Sequence, residues 1–227
     1  MLIGSFYTKP FTVRDERIVL TYEAVERSLA IKLIHPRSRR EKLNIAVSKG
    51  VLEESWGGDE KHFARILGLP WRTRNGSTFL YALLEFSQNP DLIARAELAT
   101  MSLGEALNAF WGILLPEEAA TIVAQQIEKS NNEKPPLGLP AVKIQHKLSP
   151  EIPQRIGWIN FWSNVTAQAI GFVKKESIED LVFRSYRTDL GWIVRLTDEP
   201  LDLKIGKHVE LLKHLYKRFP AIGGRDF

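Results

Sequence analysis

The sequence predicts an α+β protein in which helices and antiparallel hairpins follow one another without a regular order. Apolar residues recur at helical spacing in some stretches and alternate with polar residues in others, and no strand–helix–strand series is visible. The polar, proline-containing segment 131–138 is the best candidate for a linker. We therefore expect an N-terminal α+β subdomain at 1–130 and a C-terminal α+β subdomain at 139–227, with one compact domain as the alternative.

The first half of the chain contains signals for both strands and helices. Short apolar runs predict strands at 2–7, 31–34, 43–47 and 79–86, the last with a helix as the alternative. Helical spacing and start signals predict helices at 17–30, 60–67, 103–111 and 116–129. Ser102 and Glu105 form a capping box, and Pro116 opens a helix with acidic residues in its first turn. Asn75-Gly76 predicts a tight turn.

A tryptophan-rich stretch dominates the second half of the chain. Trp158, Trp162, Val165 and Ala169 would share one face of a helix across 156–171. Gly171 stands where a helix C-cap is expected. The sequence therefore predicts a buried or half-buried amphipathic helix here.

The remaining C-terminal residues predict a hairpin and a last helix. Segments 181–187 and 192–197 alternate apolar and polar residues around Asp189-Leu190-Gly191, which is typical of a β-hairpin whose second strand buries Trp192, Val194 and Leu196. Residues 208–219 have the apolar spacing of an amphipathic helix, ended by Pro220.

Composition restricts the class of protein. The 227 residues include no cysteine, which excludes disulfides, thiolate catalysis and cysteine-based zinc sites. The N-terminus lacks the features of a signal peptide, and no apolar run reaches the length of a membrane helix. We expect a cytoplasmic protein with no membrane partner.

The formal net charge of +4 has a local origin. Basic residues are densest in segment 35–42, where a nucleic-acid or acidic-partner patch is one interpretation. A solvated loop is the favoured interpretation, because no aromatic side chains alternate with the charges to stack on bases.

Residues with catalytic potential are scattered. The five histidines show no metal-binding spacing, and no nucleophile elbow, phosphate loop or dinucleotide fingerprint is present. Asp198, Glu199 and Asp202 could act as paired carboxylates or hold a cation, although a polar turn is the favoured interpretation. We expect no metal, no cofactor and no enzymatic activity.

Four sequence segments resemble known bacterial families. They are Gly68-Leu69-Pro70-Trp71-Arg72-Thr73-Arg74, Gly157-Trp158-Ile159-Asn160-Phe161-Trp162, Leu196-Thr197-Asp198-Glu199-Pro200-Leu201-Asp202-Leu203 and Arg218-Phe219-Pro220-Ala221-Ile222-Gly223. Their order resembles a group of uncharacterised proteins abundant in myxobacteria and other proteobacteria. The closing portion is also similar to the fifty-second family of polymorphic-toxin immunity proteins, whose members are thought to neutralise contact-dependent or type VI secretion toxins, often nuclease domains.

This resemblance implies a non-enzymatic protein that binds a cognate toxin and occludes it. Tryptophan and arginine commonly anchor protein interfaces, whereas inhibitors of nucleases are often acidic. Because this chain is basic, a local acidic face or an exosite would be required. The candidate partner-binding residues are Trp71, Arg72, Arg74, Asp189, Asp198, Glu199 and Asp202. A nucleic-acid-associated protein acting through segment 35–42 is the alternative, and a hydrolase using Asp198, Glu199 and Asp202 is a third.

Overall fold

A computed structural model shows ten strands and three α-helices among the residues that it describes. These residues are 2–8, 20–25, 28–33, 53–59, 62–72, 78–86, 96–98, 100–101, 104–105, 109–127, 134–144, 147–172 and 183–224. The strands are β1 (Leu2–Thr8), β2 (Leu20–Val25), β3 (Ser28–Leu33), β4 (Glu53–Asp59), β5 (His62–Arg72), β6 (Thr78–Phe86), β7 (Ala109–Pro116), β8 (Ile159–Ser163), β9 (Arg184–Arg187) and β10 (Gly191–Arg195).

Helices accompany these strands, so the predicted α+β class is confirmed. They are α1 (Glu117–Ala124), α2 (Asn164–Ala169) and α3 (Gly206–Arg218), with a 3-10 turn at Pro136–Gly138. Residues 96–98, 100–101 and 104–105 are also helical. None of the helices in the described part of the chain is long and apolar enough to cross a membrane.

Eight of the strands form one antiparallel sheet. Its order is β4-β5-β6-β1-β7-β8-β10-β9, and β2 pairs with β3 separately. The β7–β8 pair, with Trp111 opposite Trp162, joins strands from either side of the predicted linker. The division into subdomains at 131–138 stays a prediction.

The prediction of a helix across 156–171 is wrong at the tryptophans. Residues Ile159–Ser163 form strand β8, and only Asn164–Ala169 is helical. All five residues of β8 are buried, because the strand lies inside the sheet and both of its faces are covered. A strand that is buried on both faces shows no alternation of period two. The position of Gly171 just after the helix is confirmed by its positive φ of 74°.

Three other predicted helices in the first half also differ from the structure. Segment 17–30 contributes the hairpin β2–β3, and segment 60–67 lies largely in β5. The helix expected at 103–111 includes helical residues 104–105, but Phe110 and Trp111 belong to β7. In each case pairing within a sheet overrides local helical spacing.

Several predicted elements are confirmed. Strands β1 and β6 match the runs at 2–7 and 79–86, and β3 overlaps the strand expected at 31–34. Helix α1 follows Pro116 with two glutamates in its first turn, although it ends at Ala124 rather than near 129. The strand predicted at 43–47, Asn75-Gly76 and Ser102 lie outside the described residues.

The predicted C-terminal elements are confirmed as well. Strands β9 and β10 pair antiparallel, and α3 buries His208, Val209, Leu212, Leu215 and Tyr216. Val194 and Leu196 are buried as expected and Trp192 is half-buried. Ile193 is also fully buried, so β10 is covered on both faces rather than on one.

Aromatic side chains fill the core on one face of the sheet. Trp162 makes edge contacts with Phe172 and Phe219 at ring-centroid distances of 4.8 and 5.7 Å. On the other face of β8, the ring of Phe161 packs directly over the Cα of Gly104, where a larger residue would not fit. The core therefore holds β8 and β10 rigidly at one end of the sheet.

Candidate partner-binding surface

The hairpin β9–β10 forms one end of the eight-stranded sheet. Within the described residues, β10 is paired on both sides, with β8 and β9, whereas β9 has a single neighbour. Arg184 and Arg187 are exposed, and the two residues between them are half-buried. An edge strand exposes backbone donors and acceptors that can pair with another chain.

Arg195 organises the base of this hairpin. Its Nε donates to the carbonyl oxygen of Thr197 at 3.0 Å, and its Nη1 donates to Oε1 of Glu97 at 3.1 Å. Its Nη2 contacts the carbonyl and carboxylate oxygens of Asp198. The side chains of Arg195 and Glu97 are only 12% and 10% exposed, so their contact is shielded from water, whereas the Asp198 side chain is exposed. Together these charge-assisted contacts fix the turn after β10.

Aromatic rings enclose the same guanidinium group. Its carbon lies 4.7 Å from the ring centroid of Phe183 and 5.7 Å from that of Trp158, within the range of cation–π attraction. The indole Nε1 of Trp158 donates to the carbonyl oxygen of Thr197 at 2.9 Å. The fully buried Trp158 thus connects the core to this surface.

Glu97 joins a second arginine to the network. Its Oε2 lies 3.6 Å from Nη1 of Arg184, whose guanidinium carbon lies 5.1 Å from the ring centroid of Tyr186. Burial raises the pKa of Tyr186; the negative charges of Glu97 and Glu105 raise it further, while Arg184 opposes the shift. The phenol therefore remains a neutral hydrogen-bonding group at physiological pH.

Large apolar side chains are exposed at both ends of the hairpin. Phe183 is 53% exposed just before β9, and Leu190 is 43% exposed in the turn that follows it. Val165 is 47% exposed next to Asn164, whose backbone N–H donates to the carbonyl oxygen of Leu190 at 3.0 Å. Exposed apolar groups next to arginines are a composition typical of interface centres.

The predicted acidic residues lie at the two ends of β10. Asp189 is exposed in the β9–β10 turn, whereas Asp198 and Glu199 are exposed beyond the other end. The five residues of β10 separate the two groups by about 16 Å. Asp202 has a local structural contact, since its Oδ1 accepts from the backbone N–H of Lys204 at 2.8 Å.

Two of the three predicted anchors, Trp71 and Arg72, lie elsewhere in the sheet. Trp71 and Arg72 belong to β5, and four strands separate β5 from β10. At about 4.8 Å per strand this distance is about 24 Å. Arg74 and the basic segment 35–42 lie outside the described residues. A partner contacting every predicted residue would therefore have to span most of the sheet.

A hydrolytic or metal site receives no support from the carboxylates. Asp198 is engaged by Arg195, and Asp202 caps a turn. The described part of the chain contains no group of three or more histidine, aspartate or glutamate side chains that could hold a metal ion. The favoured interpretation of this segment as a polar turn agrees with these contacts.

Sequence reasoning missed the residues that build the surface. Arg195 and Glu97 are 98 positions apart, so no local pattern joins them. Phe183 and Arg184 fell within a predicted strand, but the sequence carried no signal that this strand lies at the edge of the sheet.

Comparison with known proteins defines the family. The family described as "Domain of unknown function (DUF5953)" matches residues 18–227, and the chain belongs to this family. A solved structure, Pseudomonas aeruginosa T6SS protein PA0821, is similar with a TM-score of 0.49 and 13% sequence identity, over 96% of this chain and 76% of that chain. No curated protein matches the sequence.

Proposed function

We propose that this protein is an immunity protein that binds a cognate antibacterial toxin and neutralises it by occlusion in a stoichiometric complex. The observation that carries the proposal is the β9–β10 hairpin, where exposed Phe183 and Leu190 lie beside Arg184 and Arg187. The sequence similarity of the C-terminal segments to polymorphic-toxin immunity proteins supports the same function. The proposed setting is the cytoplasm.

The rigidity of this surface suits a tight inhibitor. Binding costs less when the contacting side chains are already ordered in the free protein. Arg195 is held by Glu97, Asp198 and two aromatic rings, and Phe183 packs against its guanidinium group. The anchors thus belong to a preorganised network rather than to a mobile loop.

The charges around the hairpin would surround an apolar centre. Asp198 and Glu199 at one end and Asp189 at the other provide an acidic rim next to the arginines. Such a rim can steer a basic toxin, including a nuclease, although the chain as a whole is basic. In this mechanism the protein performs no chemical step and requires no cofactor.

The test is co-purification with the product of the adjacent gene. Tagged protein and neighbour are co-expressed, and their complex is measured by size exclusion and by survival of cells that express the neighbour. Phe183→Ala should weaken the complex by about tenfold or more, because hot-spot truncations cost at least about 2 kcal/mol. Leu137→Ala is the matched control, since Leu137 is similarly exposed at 46% but lies on the 3-10 turn.

The outcomes separate the candidate functions. A 1:1 complex with rescue, weakened by Phe183→Ala and not by Leu137→Ala, supports the proposal. Absence of a complex with a harmless neighbour contradicts it. Binding of the purified protein to duplex DNA, lost on removing segment 35–42, would favour the nucleic-acid alternative instead. Thermal unfolding of both variants shows whether a loss of binding reflects a loss of folding.

A further inference from the structure

The backbone hydrogen bonds of the hairpin determine which groups of β9 face outward. Just after β10, the Leu196 N–H donates to the carbonyl oxygen of Trp158 at 2.9 Å, and at the turn the Thr188 N–H donates to the carbonyl oxygen of Gly191 at 2.8 Å. Antiparallel ladders alternate, so residues 184 and 186 pair with β10. The N–H and C=O groups of Ser185 and Arg187 therefore point away from the sheet.

We propose that β9 binds an extended, acidic segment of the toxin, which adds a strand to the edge of the sheet. This inference rests on the proposed function and specifies the partner's contacting element. Main-chain hydrogen bonds to Ser185 and Arg187 would provide the pairing, as in other strand-addition complexes. Phe183 and Leu190, exposed at the two ends of β9, would receive apolar side chains of the added segment.

The charge on the strand favours an acidic segment. Arg187 is exposed and makes no ion pair with any residue that the structure describes. Nearby, Glu97 is shared by Arg184 and Arg195, and Asp198 is engaged by Arg195. The charge of Glu105 acts on Tyr186, whose pKa it raises. A carboxylate opposite Arg187 would therefore fill the unpaired position.

The same charges disfavour a second copy of this chain as the occupant. Strand β9 of a second copy would bring Arg184 and Arg187, and no carboxylate, against the same two arginines. Like charges directly opposite one another destabilise a strand pair, and charged edge strands commonly prevent self-association. The edge is thus protected against its own copies while remaining open to a strand of opposite charge.

A proline substitution isolates the backbone contribution. Ser185→Pro removes an N–H that faces outward and leaves the hydrogen bonds to β10 in place. Proline is tolerated at such positions of edge strands. Ser185→Thr keeps the N–H and is the matched control. With the purified neighbouring gene product as the probe, Ser185→Pro should lower affinity by about tenfold or more, whereas Ser185→Thr should not.

Two further measurements keep the test decisive if Ser185→Pro unfolds. Arg187→Glu should weaken the complex, while Arg218→Glu, on the exposed last turn of α3, should not. Hydrogen exchange of the wild-type complex should show protection gained at the amides of Ser185 and Arg187. The amide of Tyr186 should change little, because it already pairs with β10.

The results distinguish this inference from the proposed function. A wild-type complex that forms normally with Ser185→Pro and Arg187→Glu, and gains no protection at β9, overturns strand addition and leaves the immunity function intact. If the wild-type protein forms no complex, both strand addition and the proposed immunity function are contradicted. Two other results would show that β9 binds something other than a toxin segment. One is a concentration-dependent dimer that Ser185→Pro abolishes, and the other is duplex DNA binding that Arg187→Glu abolishes.

Discussion

Single residues explain how closely the strands at the end of the sheet approach one another. Gly191 lies opposite Ser163 in the β8–β10 pair. A Cβ atom on Gly191 would lie 2.7 Å from Cα of Ser163 and would contact the backbone carbonyl of Trp162. Because these atoms are backbone, they cannot move aside as a flexible side chain would. Only glycine therefore fits at this position of the sheet without displacing the backbone of β8.

Gly191→Ala should therefore destabilise the protein by about 2 kcal/mol, in the range of overpacked cores. Gly206→Ala is the matched control, since a Cβ there meets nothing within 4 Å and the residue begins α3. That control should be neutral or slightly stabilising. Urea denaturation of both variants measures the difference, and equal midpoints would contradict the steric argument.

Tyr7 gives the fold a pH dependence at alkaline pH. Burial raises its pKa from 10.0 to about 12, and its ring stacks on Trp111 at 5.5 Å. The contribution to stability is complete below pH 10. Between pH 10 and about 12 the unfolded chain releases a proton that the folded chain keeps, so stability falls as pH rises.

Tyr7→Phe should lessen this alkaline loss while retaining the stacking. Partial exposure of Tyr7 reduces the effect below the full value of the pKa shift. The measurement is the urea midpoint of wild type and variant from neutral pH to pH of about 11. The pKa of Tyr186 is also raised by burial, and this residue is present in both proteins, so only the difference between them reports on Tyr7. Parallel pH profiles would contradict the assignment.

At the scale of elements, the sequence predicted helices correctly where the segment is buried on one side only. Helices α1 and α3 carry apolar residues on one side, and Pro116 and Pro220 mark the start of one and the end of the other. Strand β8 is buried at every position, so the four-residue spacing of Trp158 and Trp162 suggested a helix. A uniformly buried strand and a buried helix cannot be separated by periodicity alone.

The candidate surface was predictable only where it is local in sequence. Asp189, Asp198 and Glu199 were selected from turn segments, and they are exposed at the ends of the hairpin. The link between Glu97 and Arg195 requires the helical residues near 97 to lie over β10. Sequence separation of 98 positions removes any local signal of that contact. Binding by these residues stays a prediction.

Asn160 explains how β8 begins at a sharp bend. Its side chain is fully buried, accepts from the Gly157 N–H at 2.8 Å and donates to the carbonyl oxygens of Gly157 and Val194 at 3.0 and 3.2 Å. The side-chain amide of Asn160 thus bonds the backbone groups of Gly157, which lies before the strand begins. It connects β8 to β10 as well as to the preceding turn.

Asn160→Leu should cost at least about 3 kcal/mol, because it leaves buried backbone groups without partners. Asn164→Leu is the matched control, since Asn164 is exposed at the first position of α2 and should change stability by less than about 1 kcal/mol. Chemical denaturation compares them. A cost for Asn160→Leu no larger than that of its control would show that the bend does not depend on this side chain.

At the scale of the whole molecule, the sheet separates two candidate regions. The β9–β10 hairpin lies at one end, and β4 and β5 lie at the other. Segment 35–42 is the densest basic cluster, whereas residues 184–195 of the hairpin carry three arginines and one aspartate. A toxin bound at the hairpin and a nucleic acid bound through the basic segment would therefore respond differently to salt.

The toxin complex should be only weakly sensitive to salt. Strand addition and apolar contacts at Phe183 and Leu190 depend little on ionic strength, so raising salt from about 50 to 200 mM should change the affinity by less than about tenfold. A protein that makes 6–10 phosphate contacts loses about 10³–10⁵ in affinity over that range. Titration of the neighbouring gene product and of duplex DNA, each at several salt concentrations, compares the two. A steep slope with the toxin would show that charge pairs, rather than strand addition and apolar contacts, dominate its binding.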